Sequence, residues 1–223
     1  MKKKSVTDPI ANEVAAAETN SVRMSGRIVN KYIRKTDNDD PVFIELTLAC
    51  RSRSGEVDYP KIFWFDKDAI NEIDAAYAVH DRVAVSGVIQ TSKQHKSPMI
   101  SGKTISHVEG RYSKYGVDAP QAYPTDENEV FLRGTIVNIF CPDFSNNTNL
   151  ALVTLKVEKD GHVSYPCVSC YKRQFENVKD LEKEQEVYLV SHLQTKKAET
   201  ENGTQYHRSL VCHYVGILEP DNG

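Results

Sequence analysis

The feature that most constrains this chain is an internal repeat. Asn20-Ser-Val-Arg-Met-Ser-Gly26-Arg-Ile-Val-Asn30 resembles Asn128-Glu-Val-Phe-Leu-Arg-Gly134-Thr-Ile-Val-Asn138 at an offset of 108. Leu46-Thr47-Leu48 answers to Val153-Thr154-Leu155 at 107, and Tyr59-Pro60 to Tyr165-Pro166 at 106. Residues 83–91, ending Gln90-Thr91, match 187–195, ending Gln194-Thr195, at 104; His107 and Gly110 match His213 and Gly216 at 106. Five matches in one order, with the drift absorbed in loops, describe two copies of one domain, 20–110 and 128–216. The total of 223 residues suits two domains of ~100. Residues 111–127, with Gly116, Pro120 and Pro124 and no hydrophobic period, read as a linker. Its Tyr112, Tyr115 and Tyr123 are expected to pack against a domain. Residues 1–19 read as a flexible N-terminal segment and 217–223 as a short tail.

Within the first copy, residues 22–33 are β-rich, and Gly26 inside them suggests a bend or bulge. Residues 42–50 alternate, with Ile44, Leu46, Leu48 and Cys50 on one face and Phe43, Glu45, Thr47 and Ala49 on the other. Residues 59–65 form a third strand. Residues 66–79 turn to helical spacing through Ile70, Ile73 and Tyr77, and 82–91 and 99–108 return to period two. The second copy follows suit, with Phe175 and Val178 on a shorter helix over 174–181. The fold class is therefore all-β with one short helix per domain. Five strands with a helix between the third and fourth is the order of an OB-fold, a small Greek-key barrel, here in tandem. Closing the barrel lets ~90 residues bury a core without metals or disulfides.

No apolar run approaches the ~20 residues that a membrane-spanning helix requires, so no membrane is expected as partner. Met1-Lys2-Lys3-Lys4 leads into polar sequence, and no secretory signal is expected. Five cysteines, an odd and sparse count, point to a reducing cytoplasm. The net charge of −3 excludes binding of nucleic acid by bulk positive charge. It divides informatively: the first copy holds 13 Lys/Arg against 12 Asp/Glu, the second 10 against 11. Local basic grooves remain open to both.

Residues 20–28, Asn20-Ser-Val-Arg-Met-Ser-Gly26-Arg-Ile, resemble the opening strand of bacterial and phage single-stranded DNA-binding (SSB) proteins, and Glu45-Leu-Thr-Leu-Ala49 resembles their second. Residues 59–65, the helix after them, and Asp81-Arg-Val-Ala-Val-Ser-Gly87-Val-Ile-Gln-Thr91 are similar to their third strand, helix and fourth strand. The resemblance covers most of the first copy and, more faintly, most of the second. It implies a variant with two OB-folds per chain, two chains giving four OB-folds, and single-stranded DNA as partner. Family members usually end in an acidic tail that recruits other proteins. Here the sequence reads Leu218-Glu-Pro-Asp-Asn-Gly223, so recruitment by such a tail is not expected.

Single strands are held by stacking bases on aromatic rings while basic side chains track the phosphates. On the third strand of the first copy, Tyr59, Lys61, Phe63 and Phe65 share one face, and Ile62 and Trp64 the other, which is read as core. The resemblance places Tyr59 and Phe65 at stacking positions and Lys61 at a basic contact. In the second copy Tyr165 and Tyr171 match, but Cys167 replaces the lysine, so that copy is expected to bind more loosely or to contact protein. The family's aromatic in the loop after the fourth strand is replaced by Gln94 and Ala198, which leaves His95 or Tyr206 as substitutes. Basic residues at OB-fold loop positions complete the candidate site: Arg34, Arg51, Arg53, Lys93, Lys96 and Lys103 in the first copy, then Lys172, Arg173, Lys196, Lys197 and Arg208 in the second.

Cys167-Val-Ser-Cys170, with His207, Cys212 and His213 downstream, raises zinc. Residues three apart on a strand point to opposite faces, and the first copy has Lys61 and Trp64 there, so free thiols and no metal or other cofactor are expected. No Ser/His/Asp spacing or phosphate-binding Gly-rich loop stands out, and no enzyme is expected. The expected function is sequence-independent binding and protection of single-stranded DNA in replication, recombination or DNA transfer. The rivals are an OB-fold adaptor in a replication or conjugation complex with weak DNA affinity, and an RNA binder.

Overall fold

Period-two sequence becomes strand throughout both repeats. The structure is a computed structural model that describes residues 19–52, 54–91, 98–108, 126–142, 149–200 and 203–218. The first repeat gives β1 (Asn20–Lys35), β2 (Pro41–Arg51), β3 (Val57–Asp58), β4 (Lys61–Trp64), α1 (Lys67–Ala76), β5 (Arg82–Gln90) and β6 (Met99–His107). β1 pairs with both β2 and β5, β5 with β6, β6 in parallel with β4, and β4 with β2. That circuit closes a five-stranded barrel. The second repeat gives β7 (Asn128–Phe140), β8 (Leu150–Lys159), β9 (His162–Ser164), β10 (Cys167–Tyr171), α2 (Arg173–Val178), β11 (Glu186–Thr200) and β12 (Gly203–Ile217). Its strands close in the same order, again with one parallel pair, β10 with β12. Two OB-folds in tandem, as expected, make up the chain.

The inward faces are those the alternation assigns. Ile44, Leu46, Leu48 and Cys50 are buried, as are Ile62 and Trp64, beside Met24, Ile28, Ile89 and Ile100. Each such aliphatic side chain contributes ~1.5–3 kcal/mol relative to exposure. Trp64 lies flat against Gly102, where any Cβ would collide with the indole. α1 begins at Asp66, whose carboxylate accepts from the Ala69 N–H (2.9 Å), and it buries Ile70 and Ile73 against the barrel. Tyr77 closes it and donates its hydroxyl to the Ile105 carbonyl (3.1 Å).

Four local expectations are corrected. The third strand is broken at Tyr59-Pro60 rather than continuous over 59–65, because proline has no N–H for the ladder. Its carbonyl still serves, accepting from the Leu48 N–H (3.1 Å), as that of Pro166 does from Leu155 (3.0 Å). The register shifts of β1 against β2 fall at Ile28/Asn30 and at Arg34/Lys35 rather than at Gly26. Gly26 is needed for close approach: a Cβ there would sit 2.6 Å from the Ala49 carbonyl oxygen, and one on Gly134 would strike that of Lys156. Finally, Val83 pairs with His107 while Val187 pairs with Ile217, so the last strands correspond at an offset of 110, and the match of His107 and Gly110 to His213 and Gly216 is fortuitous. Since β5 and β11 correspond at 104, the β11–β12 hairpin is six residues longer than its counterpart. β12 also takes in Ile217, which the sequence assigns to the tail.

The barrels join through their first strands. β1 and β7 run antiparallel with Val22 opposite Val130, Asn20 opposite Leu132 and Met24 opposite Asn128, which is the reciprocal pattern of a two-fold axis. The side-chain amide of Asn20 both donates to the Ile89 carbonyl and accepts from its N–H, each at 2.8 Å; Asn128 does the same to Leu193 at 2.9 and 3.0 Å. The residue that opens each repeat thus extends the ladder of its own barrel's β5 or β11. Reciprocity continues across the junction, where the Tyr59 N–H donates to Thr195 Oγ1 (2.9 Å) and the Tyr165 N–H to Thr91 Oγ1 (2.6 Å). Lys159 adds a bond to the Asn20 carbonyl (2.7 Å). Of the linker, Asp126 and Glu127 are described; Asp126 pairs with Arg82 and accepts from the Arg51 N–H (2.9 Å), while Tyr112, Tyr115 and Tyr123 lie outside the described residues. No helix among the described residues is long and apolar enough to cross a membrane.

Candidate nucleic-acid interface

Rings gather on the outer face of the first barrel, where β1, β2 and β4 lie side by side. Register sets Arg34 opposite Phe43 and Phe63 opposite Glu45, so outward side chains of three strands meet. Phe43 is the hub, with ring centroids 6.0 Å from Tyr32, 5.7 Å from Phe63 and 6.1 Å from Phe65. Phe63 and Phe65 lie nearly parallel, 6.3 Å apart at 13°. Tyr32 and Phe65 stay about half exposed, at 51% and 49%. Four contiguous rings, open at both ends of the group, form a surface on which bases can stack. Phe65 is one of the four rings, and Arg34 stands exposed at their edge.

Lys61 lies on the same face but is paired with Glu45 (2.7 Å), which lowers the positive charge it can offer a phosphate. Tyr59 is half-buried because the β11–β12 hairpin crosses it: its ring meets Tyr206 at 6.4 Å and its carbonyl accepts from Arg208 Nε (2.8 Å). Arg208 therefore serves the junction, where burial lowers its pKa and Glu45 acts in the opposite sense. Arg51 lies beside Asp126, whose carboxyl burial pushes up while the Arg51 N–H and Arg82 pull it back. Lys103 reaches across the junction to Asp160 (3.3 Å). Arg53, Lys93 and Lys96, with Gln94 and His95, lie outside the described residues.

In the second barrel Tyr165 is exposed and Tyr171 half-buried, with Lys196 Nζ 5.9 Å from the Tyr171 ring centre. Lys172 and Arg173 are exposed at the start of α2, and Lys197 pairs with Glu199 (2.5 Å). Cys170 sits in the core opposite Cys212, and the bond to that neighbouring thiol, together with burial, pushes its pKa up. None of the five cysteines is in a disulfide, Cys167 is half-buried, and no metal-holding cluster occurs among the described residues.

Sequence reasoning passed over Tyr32 and Phe43. Phe43 was legible as outward-facing, but its meeting with Phe63 depends on cross-strand register. In the turn between β1 and β2, Asp39 pairs with Lys35 and Asp40 with Lys67 at the start of α1.

No protein-family model matches the sequence, and no curated protein matches it. The fold has clear likenesses among solved structures. The single-stranded DNA-binding protein from Thermus aquaticus superposes with a TM-score of 0.65 over 92% of this chain and 95% of its own, at 14% identity. A deletion variant of that protein gives 0.65, 92%, 96% and 15%. At this level of identity the likeness is one of fold, and it embraces both barrels together.

Proposed function

We propose that the chain binds single-stranded DNA without sequence preference and protects it during replication, recombination or DNA transfer. The observation that carries this reading is the open ring cluster of Tyr32, Phe43, Phe63 and Phe65 on the outer face of a barrel, with Arg34 at its edge. The name of the Thermus aquaticus protein agrees with it. Affinity then leans on stacking, at ~1–3 kcal/mol per base, more than on charge. We keep Tyr165, Tyr171, Lys172, Arg173 and Lys196, with Tyr59, Lys61, Arg51 and Lys103, as candidate contacts for the strand on the two barrels. The proposed domain limits are 20–110 and 128–216, the second extended by Ile217 at the end of β12.

The assembly we propose is two chains with four OB-folds. β6, β5, β1, β7, β11 and β12 form one continuous six-stranded run across the junction, and its outer side is the surface on which a second chain would sit. A reducing cytoplasm suits five cysteines of which none is in a disulfide. Titration of a labelled oligo-dT at low and at physiological salt tests the function. Binding that weakens only modestly with salt is expected, and no binding at low salt would overturn it. A matched RNA strand separates DNA from RNA preference, and light scattering reads the assembly.

A further inference from the structure

Where the β11–β12 hairpin crosses the first barrel, a cleft of about 140 Å³ opens between Thr47, Tyr59, Tyr206 and Arg208. Two of its walls come from each barrel. We propose that this cleft receives one nucleobase of the bound strand, held between Tyr59 of the first barrel and Tyr206 of the second. The inference rests on the single-stranded DNA reading and extends it, because it makes the second barrel complete a site of the first.

The geometry suits one flat ring system. Clefts for drug-sized ligands run to ~300–1,000 Å³, well above this one. The Tyr59 and Tyr206 rings stand 6.4 Å apart at 63°, close to edge-on, and Tyr206 is 51% exposed, so its ring can turn toward an incoming base. Arg208 is fixed by its Nε bond to the Tyr59 carbonyl, and no described residue accepts from its Nη groups. A guanidinium half out of water and held in plane is a strong donor for a base carbonyl or a phosphate oxygen. Thr47 is nearly buried at the floor.

Among the described residues the site occurs on one side of the two-fold. Tyr165, the counterpart of Tyr59, is 47% exposed. At the offset of 110 that relates the last strands, Tyr206 and Arg208 correspond to Lys96 and Pro98, so neither the ring nor the guanidinium is repeated.

The test uses the full chain, labelled oligo-dT at two salt concentrations, and the variants Tyr206→Phe, Tyr206→Leu and Phe65→Ala. Leucine keeps apolar bulk against Tyr59 without a ring, so melting temperature reports packing and affinity reports stacking. Tyr206→Leu is expected to lose roughly 5- to 150-fold in affinity, the equivalent of one stacked base, with an unchanged salt slope; Tyr206→Phe binds as the parent does. If Tyr206→Leu binds like the parent while Phe65→Ala weakens binding, the cleft takes no base and the broader reading stands. A fall in melting temperature without a fall in affinity overturns the inference in the same way. If the parent chain binds no oligo-dT at low salt, it is the broader reading that fails.

Discussion

The two barrels share a skeleton and differ in what they show to solvent. The Asn20 and Asn128 clamps, the Thr91 and Thr195 hydroxyls and the close-approach glycines Gly26 and Gly134 recur in both. On the outer face the ring positions part company: Tyr32, Phe43, Phe63 and Phe65 answer to Phe140, Leu150, Ser169 and Tyr171. Inside, Trp64 against Gly102 is replaced by Cys170 against Cys212, so a large–small pair becomes two of middling size and the core stays filled. Positions that make a barrel and its junction are held by geometry, whereas those facing solvent are free to specialise. The first barrel carries the four-ring cluster and the second carries the hairpin that reaches Tyr59.

The largest expected difference between the halves is in their cores. Trp64→Ala should cost ~3–5 kcal/mol in urea unfolding, while Cys170→Ala at the corresponding place removes far less volume and should cost ~1 kcal/mol. Equal costs would break the comparison. The outer faces come next: Phe65→Ala should weaken oligo-dT binding by ~1–3 kcal/mol and Tyr171→Ala by under about 1 kcal/mol, read by fluorescence titration. A reversed order would make the second barrel the principal binder. The shared clamp gives a matched pair instead. Asn20→Ala and Asn128→Ala each strand a backbone N–H and carbonyl, at ~1–3 kcal/mol per site in thermal unfolding. A marked inequality would show that only one side holds the junction.

The smallest effect is the part of the pH dependence carried by His192 in the second barrel. His192 stacks on His213 at 4.4 Å, and its pKa is lowered to about 4, first by burial, then by His213, against a backbone bond with Val211 that raises it. His213 is itself lowered by burial and raised by Glu129. The unfolded chain therefore takes up the proton first. Stability is full above about pH 6.5, falls as pH drops toward 4, and levels off below. The first barrel has Val88 at this place, so His192→Val should flatten the profile of unfolding against pH between those limits.

Much of the barrel was legible because strand alternation and helix spacing are local. Ile44, Leu46 and Leu48 declare a face without reference to anything distant, and Ile70 and Ile73 declare a helix. What escaped depends on residues far apart in the chain. Tyr32, Phe43 and Phe63 become neighbours only through strand register, and Tyr59 meets Tyr206 only because one hairpin is six residues longer. The spurious pairing of His107 with His213 arose in the same way, since single identities cannot reveal an insertion that lies between them. Lys61 reads as a free cation until Glu45 is placed opposite its neighbour.

The meeting of β1 with β7 has one more consequence. Two barrels paired about a two-fold as separate chains would obey mass action and part on dilution, and every substitution would appear on both sides at once. Carried on one chain, the pair has an effective local concentration set by its tether, so it persists at any dilution of the protein. The same covalent link uncouples the partners genetically. A phenylalanine can be placed on one barrel and a serine on the other, so a symmetric scaffold can present a polar, directional surface to a strand that itself has two different ends.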